Sequence, residues 1–587
     1  MIRTLLKQVK GYKKDAFLAP LFTALEVLME VMIPFVTASI IDKGIESGNI
    51  DQVYLYGGIM LIMALFSLIF GILAGKYAAR ASSGFACNLR DGMYENIQSF
   101  SFSNIDKYST AGLVTRMTTD VTNVQNASQM ILRIAVRAPL MLVCSMVMCF
   151  FISVRLSSIF LTAIVVLAAA LIFIMAKTTK IFAQVFQKYD DLNASVQENV
   201  SAVRVVKAFV REDYENARFA KAAEMLFRLF VKAEGILALN NPVMMLVVYG
   251  CIIALSWFGA VFVVAGSLTT GELTSMFSYV MSVLMSLMMF SMVFVMITMS
   301  AASGRRIAQV LEEKADLRNP EKPEGNMEDG RIDFNHVSFS YKHGSGERTL
   351  SDIDLHINSG ETIGIIGRTG SGKSTLVSLI SRLYDADEGS VLVGGKDVRT
   401  YDMELLREKV AVVLQKNVLF SGTILDNLRW GKEDASEEEC REVCRQASAD
   451  EFIENFPEKY NTWIEQGGSN VSGGQKQRLC IARALLKKPK ILILDDSTSA
   501  VDTATDAKIR EAFAKKIPGT TKLIIAQRIS SVQDADRILV MENGRINGFD
   551  THENLLRQNE IYREICQAQM KGGGDFDQTD DTGKERT

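Results

Sequence analysis

Residues 361–380 read ETIGIIGRTGSGKSTLVSLI and decide how the second half of this chain folds. Within them, Gly367 to Ser374 follow the pattern G-x-x-x-x-G-K-S, in which successive backbone N–H groups turn inward and cradle a polyphosphate. An apolar run of β-strand type, Thr362–Ile366, precedes the loop, and a helix-patterned apolar run follows it. A glycine-rich turn with a chance Gly-Lys-Ser is the alternative, and it leaves this context unexplained. We therefore predict that the chain binds a nucleoside triphosphate.

The residues of this loop have distinct expected roles. The glycines let the backbone curl, and the Lys373 ammonium neutralises the β- and γ-phosphates. The Ser374 hydroxyl is placed to ligate Mg²⁺. The predicted nucleotide contacts of the loop are Gly367, Arg368, Thr369, Gly370, Ser371, Gly372, Lys373, Ser374 and Thr375.

Three further positions belong with the loop. Ile491–Asp496, ILILDD, is an apolar strand that ends in acid, and Asp495 is expected to hold Mg²⁺ through its water shell. Gln415 follows the strand Val410–Leu414 and can reach both the metal and an attacking water. Tyr341, in FSY, is expected to stack on the adenine ring, and a half-buried strand tyrosine is its alternative interpretation.

A second glycine-rich stretch, VSGGQKQR, opens a helix about twenty residues before the ILILDD strand. Its backbone donors and the helix dipole suit an anionic γ-phosphate. An ordinary glycine-rich helix cap does not account for this position. The residues predicted to contact the phosphate are Val471, Ser472, Gly473, Gly474 and Gln475.

Composition places much of the remaining chain in a lipid bilayer. Of the 587 residues 48% are hydrophobic, and the mean hydropathy is +0.14, which is high for a water-soluble protein. The net charge of −3 gives no global field that would attract nucleic acid. Eight cysteines occur without a C-x-x-C pair, so neither a zinc site nor a disulfide framework is predicted.

Six apolar segments are each long enough to span a bilayer. They lie near residues 16–41, 53–77, 131–154, 157–177, 242–266 and 271–300. The connections between segments two and three and between four and five are long, basic and helix-patterned, whereas the others are short and nearly free of cations. By the positive-inside rule both termini and the long connections are cytoplasmic. The chain is therefore expected to be a multi-pass protein of the cell membrane.

These observations divide the chain into four parts. Residues 1–314 form an all-α membrane domain with an interfacial helix at its N-terminus. Residues 315–330 are a linker rich in charge and proline, and residues 331–568 alternate short strands and helices as an α/β domain does. Residues 569–587 have no apolar content to fold on and are expected to be disordered.

The order of these motifs is that of a known family. The P-loop, Gln415, SGGQ, ILILDD and Ser499–Asp502 (SAVD) together resemble the nucleotide-binding domain of an ABC transporter. With six membrane helices ahead of it, the chain resembles an ABC exporter half-transporter over residues 1–568. The resemblance implies a dimer in which two ATP molecules each lie between the P-loop of one chain and the SGGQ of the other. It also implies that short helices near Ser103–Ser109 and Lys207–Tyr214 dock on the nucleotide domains, the second on the partner's.

The chain departs from this family where hydrolysis takes place. Active members carry Glu directly after the Mg²⁺ aspartate as general base, and here that position is Asp496, one methylene shorter. The family's γ-phosphate His is replaced by Gln527, which can neither become cationic nor shuttle a proton. A weaker departure is Gln466, where Glu is usual. Because the signature is intact, we predict a heterodimer in which this chain has the degenerate ATP site and a second half-transporter has the competent one.

The cargo is the least determined part of the interpretation. Met281, Met285, Met288, Met292, Met296 and Met299 recur at helical spacing in the sixth segment. Because Met is flexible, Met285 and Met292 could line a cavity for hydrophobic small molecules, or the stripe could simply be packing. Glu30 is a second cavity candidate one turn after Glu26, and a structural hydrogen-bonding role is its alternative. Two other functions stay open: an ATP-binding regulatory subunit that gates a partner, and an importer of exporter-like fold.

Overall fold

The computed structural model describes residues 1–341, 348–496 and 501–572. It contains two compact units. The membrane unit comprises Met1–Gln98 and Thr110–Glu313, and the nucleotide unit comprises Ser99–Ser109 and the chain from Lys314 onward.

Long helices make up the membrane unit because its segments are apolar on nearly every face. The first eleven α-helices of the chain are α1 Ile2–Lys7, α2 Lys13–Ile40, α3 Ile50–Gln98, α4 Phe102–Lys107, α5 Thr110–Thr115, α6 Val121–Ile152, α7 Val154–Ser201, α8 Val203–Ala208, α9 Glu212–Ala238, α10 Asn240–Val264 and α11 Thr270–Glu312. Of these, only α4 lies in the nucleotide unit. Within the described ranges, six helical stretches are long and apolar enough to cross a membrane. Each contains or overlaps one predicted span, which confirms the six-helix domain. The helices α3 and α7 run far beyond the spans, as their helix-patterned connections predict.

Close contacts hold these helices together at specific points. The Tyr279 hydroxyl of α11 is buried and donates to the carbonyl oxygen of Val31 on α2, 2.8 Å away. Near the start of α11, a Cβ on Gly271 would lie 2.4 Å from the carbonyl oxygen of Ala38, so only glycine allows this approach of α11 to α2. The Asp42 carboxylate accepts from the Gly271 N–H at 2.8 Å and caps the same contact.

The described part of the nucleotide unit has two large sheets and a two-stranded sheet. Its strands are β1 Ile332–Phe339, β2 Leu350–Ile357, β3 Thr362–Gly367, β4 Glu388–Val393, β5 Lys396–Asp397, β6 Val410–Val413, β7 Gly422–Thr423, β8 Trp463–Ile464, β9 Ile491–Asp495, β10 Thr521–Ile525, β11 Arg537–Glu542 and β12 Arg545–Asp550. The larger sheet has the order β12-β11-β3-β10-β9-β6 and is parallel except for β12, and the antiparallel sheet has the order β2-β1-β4-β5. The two-stranded sheet is formed by β7 and β8. The strands β9 and β10 are buried at every residue, as expected for the centre of a parallel sheet.

Nine α-helices follow in the described part of this unit. They are α12 Lys373–Ile380, α13 Met403–Lys409, α14 Ile424–Arg429, α15 Glu437–Gln446, α16 Asp450–Ile453, α17 Gly473–Leu486, α18 Thr503–Lys516, α19 His552–Gln558 and α20 Glu560–Gly572. An α/β domain after the helical domain confirms the predicted fold class.

Two predictions about local structure were wrong. The second short helix is α8, not residues 207–214, because Glu212 and Asp213 form the acidic first turn of α9. The disordered tail was predicted to begin at residue 569, but α20 continues to Gly572. Gln569 holds it there, because its amide oxygen accepts from the Ile529 N–H at 2.9 Å and its amide nitrogen donates to the Gln527 carbonyl oxygen at 2.7 Å. Residues 573–587 lie outside the described residues.

Candidate nucleotide site

The loop between β3 and α12 has the geometry of a phosphate cradle. Gly370 and Gly372 have φ values of +80° and +94°, in the left-handed region that favours glycine. A Cβ on Gly372 would also lie 2.8 Å from the Leu350 side chain. The Lys373 ammonium spans the loop and donates to the carbonyl oxygens of Gly367 at 2.8 Å and Arg368 at 2.9 Å. The P-loop backbone and the Lys373 ammonium therefore surround the same small space, where a phosphate would be bound.

The loop faces a cavity of about 240 Å³. Most of the predicted nucleotide residues line it: Gly367, Thr369, Gly370, Ser371, Gly372, Lys373, Ser374, Thr375, Gln415, Asp495, Asp496 and Gln527. Arg368 is not among the lining residues, and neither is Tyr341. Sequence reasoning missed Thr349, Ile366 and Ile525, which also line the cavity. The last two are apolar strand residues beside the motifs, and Thr349 precedes β2 with no motif to mark it.

Hard oxygen ligands lie side by side at the base of the cavity. The Ser374 hydroxyl donates to the Asp495 carboxylate at 3.0 Å, and Asp495 is 8% exposed at the end of β9. Burial raises the pKa of Asp495, and the Ser374 hydrogen bond and the Lys373 charge oppose that rise. A hydroxyl, a carboxylate and the Gln415 amide suit Mg²⁺, which prefers oxygen ligands and keeps several waters.

The two residues predicted to make the site degenerate contact each other. The Gln527 amide nitrogen donates to the Asp496 carboxylate at 3.0 Å. Asp496 follows β9 with a φ of +47°, and its N–H donates to the Ile525 carbonyl oxygen of β10 at 3.1 Å. The main-chain carbonyl oxygen of Gln527 in turn accepts a hydrogen bond from the Gln569 side-chain amide. Both side chains are therefore fixed by hydrogen bonds at one edge of the cavity.

The predicted adenine tyrosine lies in an aromatic group just after the end of β1. Tyr341 is half exposed, and its hydroxyl is 3.1 Å from the Thr375 hydroxyl at the start of α12. Its ring meets Phe339 and Tyr384 edge-on, with centroids 5.0 Å and 5.2 Å away. One side of the ring thus packs on the protein and the remainder is accessible, which allows stacking.

The second glycine-rich stretch forms the N-terminus of α17. Ser472 caps this helix: its hydroxyl accepts from the Gln475 N–H, and its own N–H donates to the Gln475 amide oxygen. Ser472 and Gly473 are exposed, and none of Val471–Gln475 lines the cavity beside the P-loop. In the SAVD motif, Ser499 and Ala500 lie outside the described residues.

A short helix of the nucleotide unit carries the first predicted docking contacts. In α4, the Asp106 carboxylate accepts from the Tyr384 hydroxyl at 2.6 Å, and Phe102 lies edge-on to the same ring. Ser103 donates to Asp316 at 2.8 Å. Within the predicted segment, the side chains of Ser103 and Asp106 therefore make the attachment.

The cavity candidates in the membrane unit lie on two helices. The Glu30 carboxylate forms an ion pair with Arg137 of α6 at 2.7 Å, and Glu26 contacts the same guanidinium at 2.5 Å. An arginine inside an apolar segment is itself a signal, which sequence reasoning missed. On α11, Met281, Met285, Met288 and Met292 are between 41% and 63% exposed, and the opposite face packs in the core through Met276, Tyr279 and Val283. Of the other two stripe methionines, Met296 is partly buried and the Met299 side chain lies outside the description.

This chain is similar to ABC transporters in sequence and in fold. The family models for the ABC transporter transmembrane region and the ABC transporter match residues 16–288 and 350–499. An uncharacterized ABC transporter ATP-binding protein of Bacillus subtilis (strain 168), YfiB, is 38% identical over 96% of this chain and 97% of its own length. The ATP-dependent lipid A-core flippase of Syntrophus aciditrophicus (strain SB) is 33% identical over 82% of this chain and 80% of its own. The structure of a bacterial Atm1-family ABC exporter with ATP bound is similar in fold, with a TM-score of 0.79 and 24% identity over 96% of this chain and 98% of that one.

A P-loop cavity joined in one chain to six membrane helices defines a membrane transport ATPase. The chain belongs to the ABC transporter family. Its fold is that of an ABC exporter half-transporter, with the membrane and ATP-binding domains fused. It is therefore an ATP-binding, multi-pass membrane protein.

Proposed function

We propose that this chain is one half of a heterodimeric exporter, that its own ATP site hydrolyses slowly, and that its signature completes the competent site of its partner. The observation that supports the proposal is the hydrogen bond between Gln527 and Asp496. A general base must accept a proton from water, but this carboxylate is short and already accepts from an amide. The amide that contacts it has no acidic proton to exchange.

The residues expected to bind ATP at this site are different from those expected to hydrolyse it. Lys373 and the P-loop N–H groups would bind the β- and γ-phosphates, and Ser374, Gln415 and Asp495 would hold Mg²⁺, which neutralises phosphate charge when bound. Tyr341 would stack on the adenine ring. None of these residues departs from the family pattern, so ATP is expected to bind and persist.

Restoring the family residues tests this asymmetry. The full-length chain is purified alone in lipid nanodiscs as wild type, Asp496→Glu, Gln527→His and the double variant. Because a positioned general base contributes roughly 10²–10⁴-fold, the double variant should turn over ATP at least about 10²-fold faster than wild type. ATP binding, measured separately, should change little. A wild-type chain that already hydrolyses as fast as the double variant would contradict the proposal.

Domain docking between the two chains is the second part of the proposal. The helix α8 and the turn after it expose Val205, Phe209 and Val210, an apolar surface that an isolated soluble turn would not retain. The nucleotide unit has a groove of about 310 Å³ whose lining includes Leu414, Val418, Phe420, Trp430, Arg483 and Lys487. We propose that this groove receives the α8-equivalent helix of the partner and that α8 enters the partner's groove.

Cross-linking tests this exchange. A cysteine at Ala208 is paired with a cysteine in the groove of the partner's nucleotide domain, in a background without other exposed cysteines. A cross-linked species with the mass of both chains is expected. A cross-link that forms only when both cysteines are in the same chain would contradict the exchange.

The direction of transport and the cargo complete the proposal. The exporter-type fold and the relative named as a lipid A-core flippase support outward movement of hydrophobic or amphipathic compounds by alternating access. Both termini are proposed to be cytoplasmic, following the positive-inside rule. Compound-stimulated ATPase of the complex separates this function from a regulatory subunit, which no cargo should stimulate. Transport into inside-out vesicles separates it from an importer.

The exposed methionines of α11 sharpen the cargo prediction. Replacing Met285 and Met292 together by Ala removes apolar surface from an exposed face, so the melting temperature should change little. We expect the ranking of stimulating compounds to change, because Met surfaces repack around unrelated apolar shapes. A lower melting temperature with an unchanged ranking would mean that the stripe only packs.

A further inference from the structure

Three ionisable side chains lie together in the interior of the membrane unit. Glu26 and Glu30 are one turn apart on α2, and both contact Arg137 on α6, at 2.5 Å and 2.7 Å. All three positions are near the middle of their helices. Ionisable groups at this depth are costly, and they are usually retained because they contact a substrate, an ion or one another. We refer to these residues as the charge triad.

The charge triad is not balanced. When ionised it holds two carboxylates and one guanidinium, so it carries an excess negative charge. Glu26 is 7% exposed, and its Oε2 atom is fully buried with no hydrogen-bond partner in the described structure. Leaving a buried charged acceptor unsatisfied is unfavourable. A charge-bearing donor is the group that this arrangement lacks.

Glycine on α3 lets the unsatisfied carboxylate sit where it does. A Cβ on Gly71 would lie 3.1 Å from Oε1 and 3.7 Å from Oε2 of Glu26, so a side chain there would crowd the carboxylate. The outer edge of the triad is accessible, because the Glu30 and Arg137 side chains are 28% and 23% exposed. Arg133, one turn earlier on α6, is exposed and makes no contact with the triad carboxylates that the structure records.

We infer that the charge triad binds the ammonium group of hydrophobic amines. An ammonium group supplies both the positive charge that offsets the second carboxylate and an N–H donor of the kind that Glu26 Oε2 lacks. An anion would meet the excess negative charge, and a neutral alcohol would supply a donor without charge. The inference rests on the proposed exporter function and narrows its cargo to cationic amphiphiles.

Three ligands of nearly equal shape test the inference. These are 1-adamantanamine, 1-adamantanol and 1-adamantanecarboxylate, which carry a cationic, a neutral and an anionic group on the same apolar body. Their binding to the full chain in nanodiscs is measured by calorimetry without ATP, and binding to empty nanodiscs is subtracted. Because no nucleotide is involved, the result is independent of whether the ATP site is degenerate.

We expect the amine to bind about tenfold or more tightly than the alcohol, and the carboxylate to bind more weakly than either. Glu30→Gln keeps an amide oxygen for Arg137 and should reduce the preference for the amine to within about twofold. Glu26→Gln should do the same, and Arg133→Gln, which removes a charge outside the triad, should retain the preference. Melting temperatures identify variants that no longer fold.

Several results would overturn the inference. Equal binding of amine and alcohol to the wild type would show that the triad is only an internal ion pair. Tighter binding of the carboxylate would show that Arg137 dominates. A preference for the amine that survives in both folded glutamine variants would place the amine elsewhere. If Glu26→Gln does not fold, Glu30→Gln and the wild-type comparison still decide.

Discussion

The signature and the hydrolytic edge of the cavity differ in what they retain. At the start of α17, Ser472 and Gln475 cap each other and keep the family's residues. At the ends of β9 and β10, Asp496 and Gln527, which we propose stand where active members carry Glu and His, hydrogen-bond to each other. Both regions are locally satisfied, so folding does not explain the difference. The proposed heterodimer explains it, because there the signature contacts the ATP bound by the partner, whereas Asp496 and Gln527 face the ATP bound by this chain.

A substitution in the signature should have the largest effect. Gly474→Glu should lower ATP turnover of the two-chain complex by at least about 10²-fold, because a bulky acid blocks the approach of the helix N-terminus to the partner's γ-phosphate. Steady-state ATPase measures it. Gly519→Glu is the matched control, since a Cβ at that glycine meets nothing within 4 Å. If turnover survives while the partner's signature is essential, the two sites are assigned the wrong way round.

The next effect separates nucleotide binding from hydrolysis at this chain's own site. Lys373→Ala removes charge-assisted contacts to phosphate, each worth about 1.5–3 kcal/mol. ATP affinity of the isolated chain should therefore fall by about tenfold to 10²-fold, measured by equilibrium binding. Lys416→Ala removes an exposed lysine that does not line the cavity and should leave affinity unchanged. Unchanged affinity in Lys373→Ala would place the nucleotide elsewhere.

A small effect is expected where an active site would show a large one. Asp496→Asn keeps the shape of the side chain and removes its charge. Turnover of the complex should fall by less than about threefold, against the roughly 10²–10⁴-fold value of a general base. The same ATPase assay with the partner's aligned residue changed provides the contrast. A loss of 10²-fold in Asp496→Asn would show that this chain's site is catalytic.

The smallest effect concerns the support of Gln527. Gln569→Ala removes two hydrogen bonds to the segment 527–529, and each contributes about 0.5–1.5 kcal/mol. Hydrogen exchange of the Ile529 amide should become faster, while turnover of the complex stays within about twofold. Gln567→Ala, on the exposed face of the same helix, should change neither. A large loss of turnover would mean that the position of Gln527 matters for catalysis.

Motifs and periodicity predicted the class of each domain and most of the cavity lining. The reason is local: a P-loop, a strand ending in acid and six apolar segments each carry their signal within about 20 residues. Contacts between distant residues were not predictable in this way. The Gln569 contact with Gln527 and the Arg137 contact with Glu30 each join positions on separate elements. Thr349 lines the cavity from just before β2, and no motif marks it.

The bounds of short helices were the least predictable feature. The prediction for residues 207–214 came from the family resemblance and missed the acidic first turn at Glu212 and Asp213, which is where a helix begins. The tail prediction considered apolar content alone and missed a polar clamp at Gln569. In both cases a polar residue near a helix end decided the boundary.

The protonation state of Tyr384 decides whether its hydrogen bond to α4 depends on pH. Burial and the neighbouring Asp106 carboxylate raise the pKa of Tyr384, so its hydroxyl stays a proton donor throughout the physiological pH range. The same ring touches Tyr341, whose hydroxyl meets Thr375 beside the P-loop. Residues 99–109 are covalently continuous with α3 on one side and α5 on the other. The hydrogen bond that holds α4 to Tyr384 within the nucleotide unit is therefore insensitive to pH in that range.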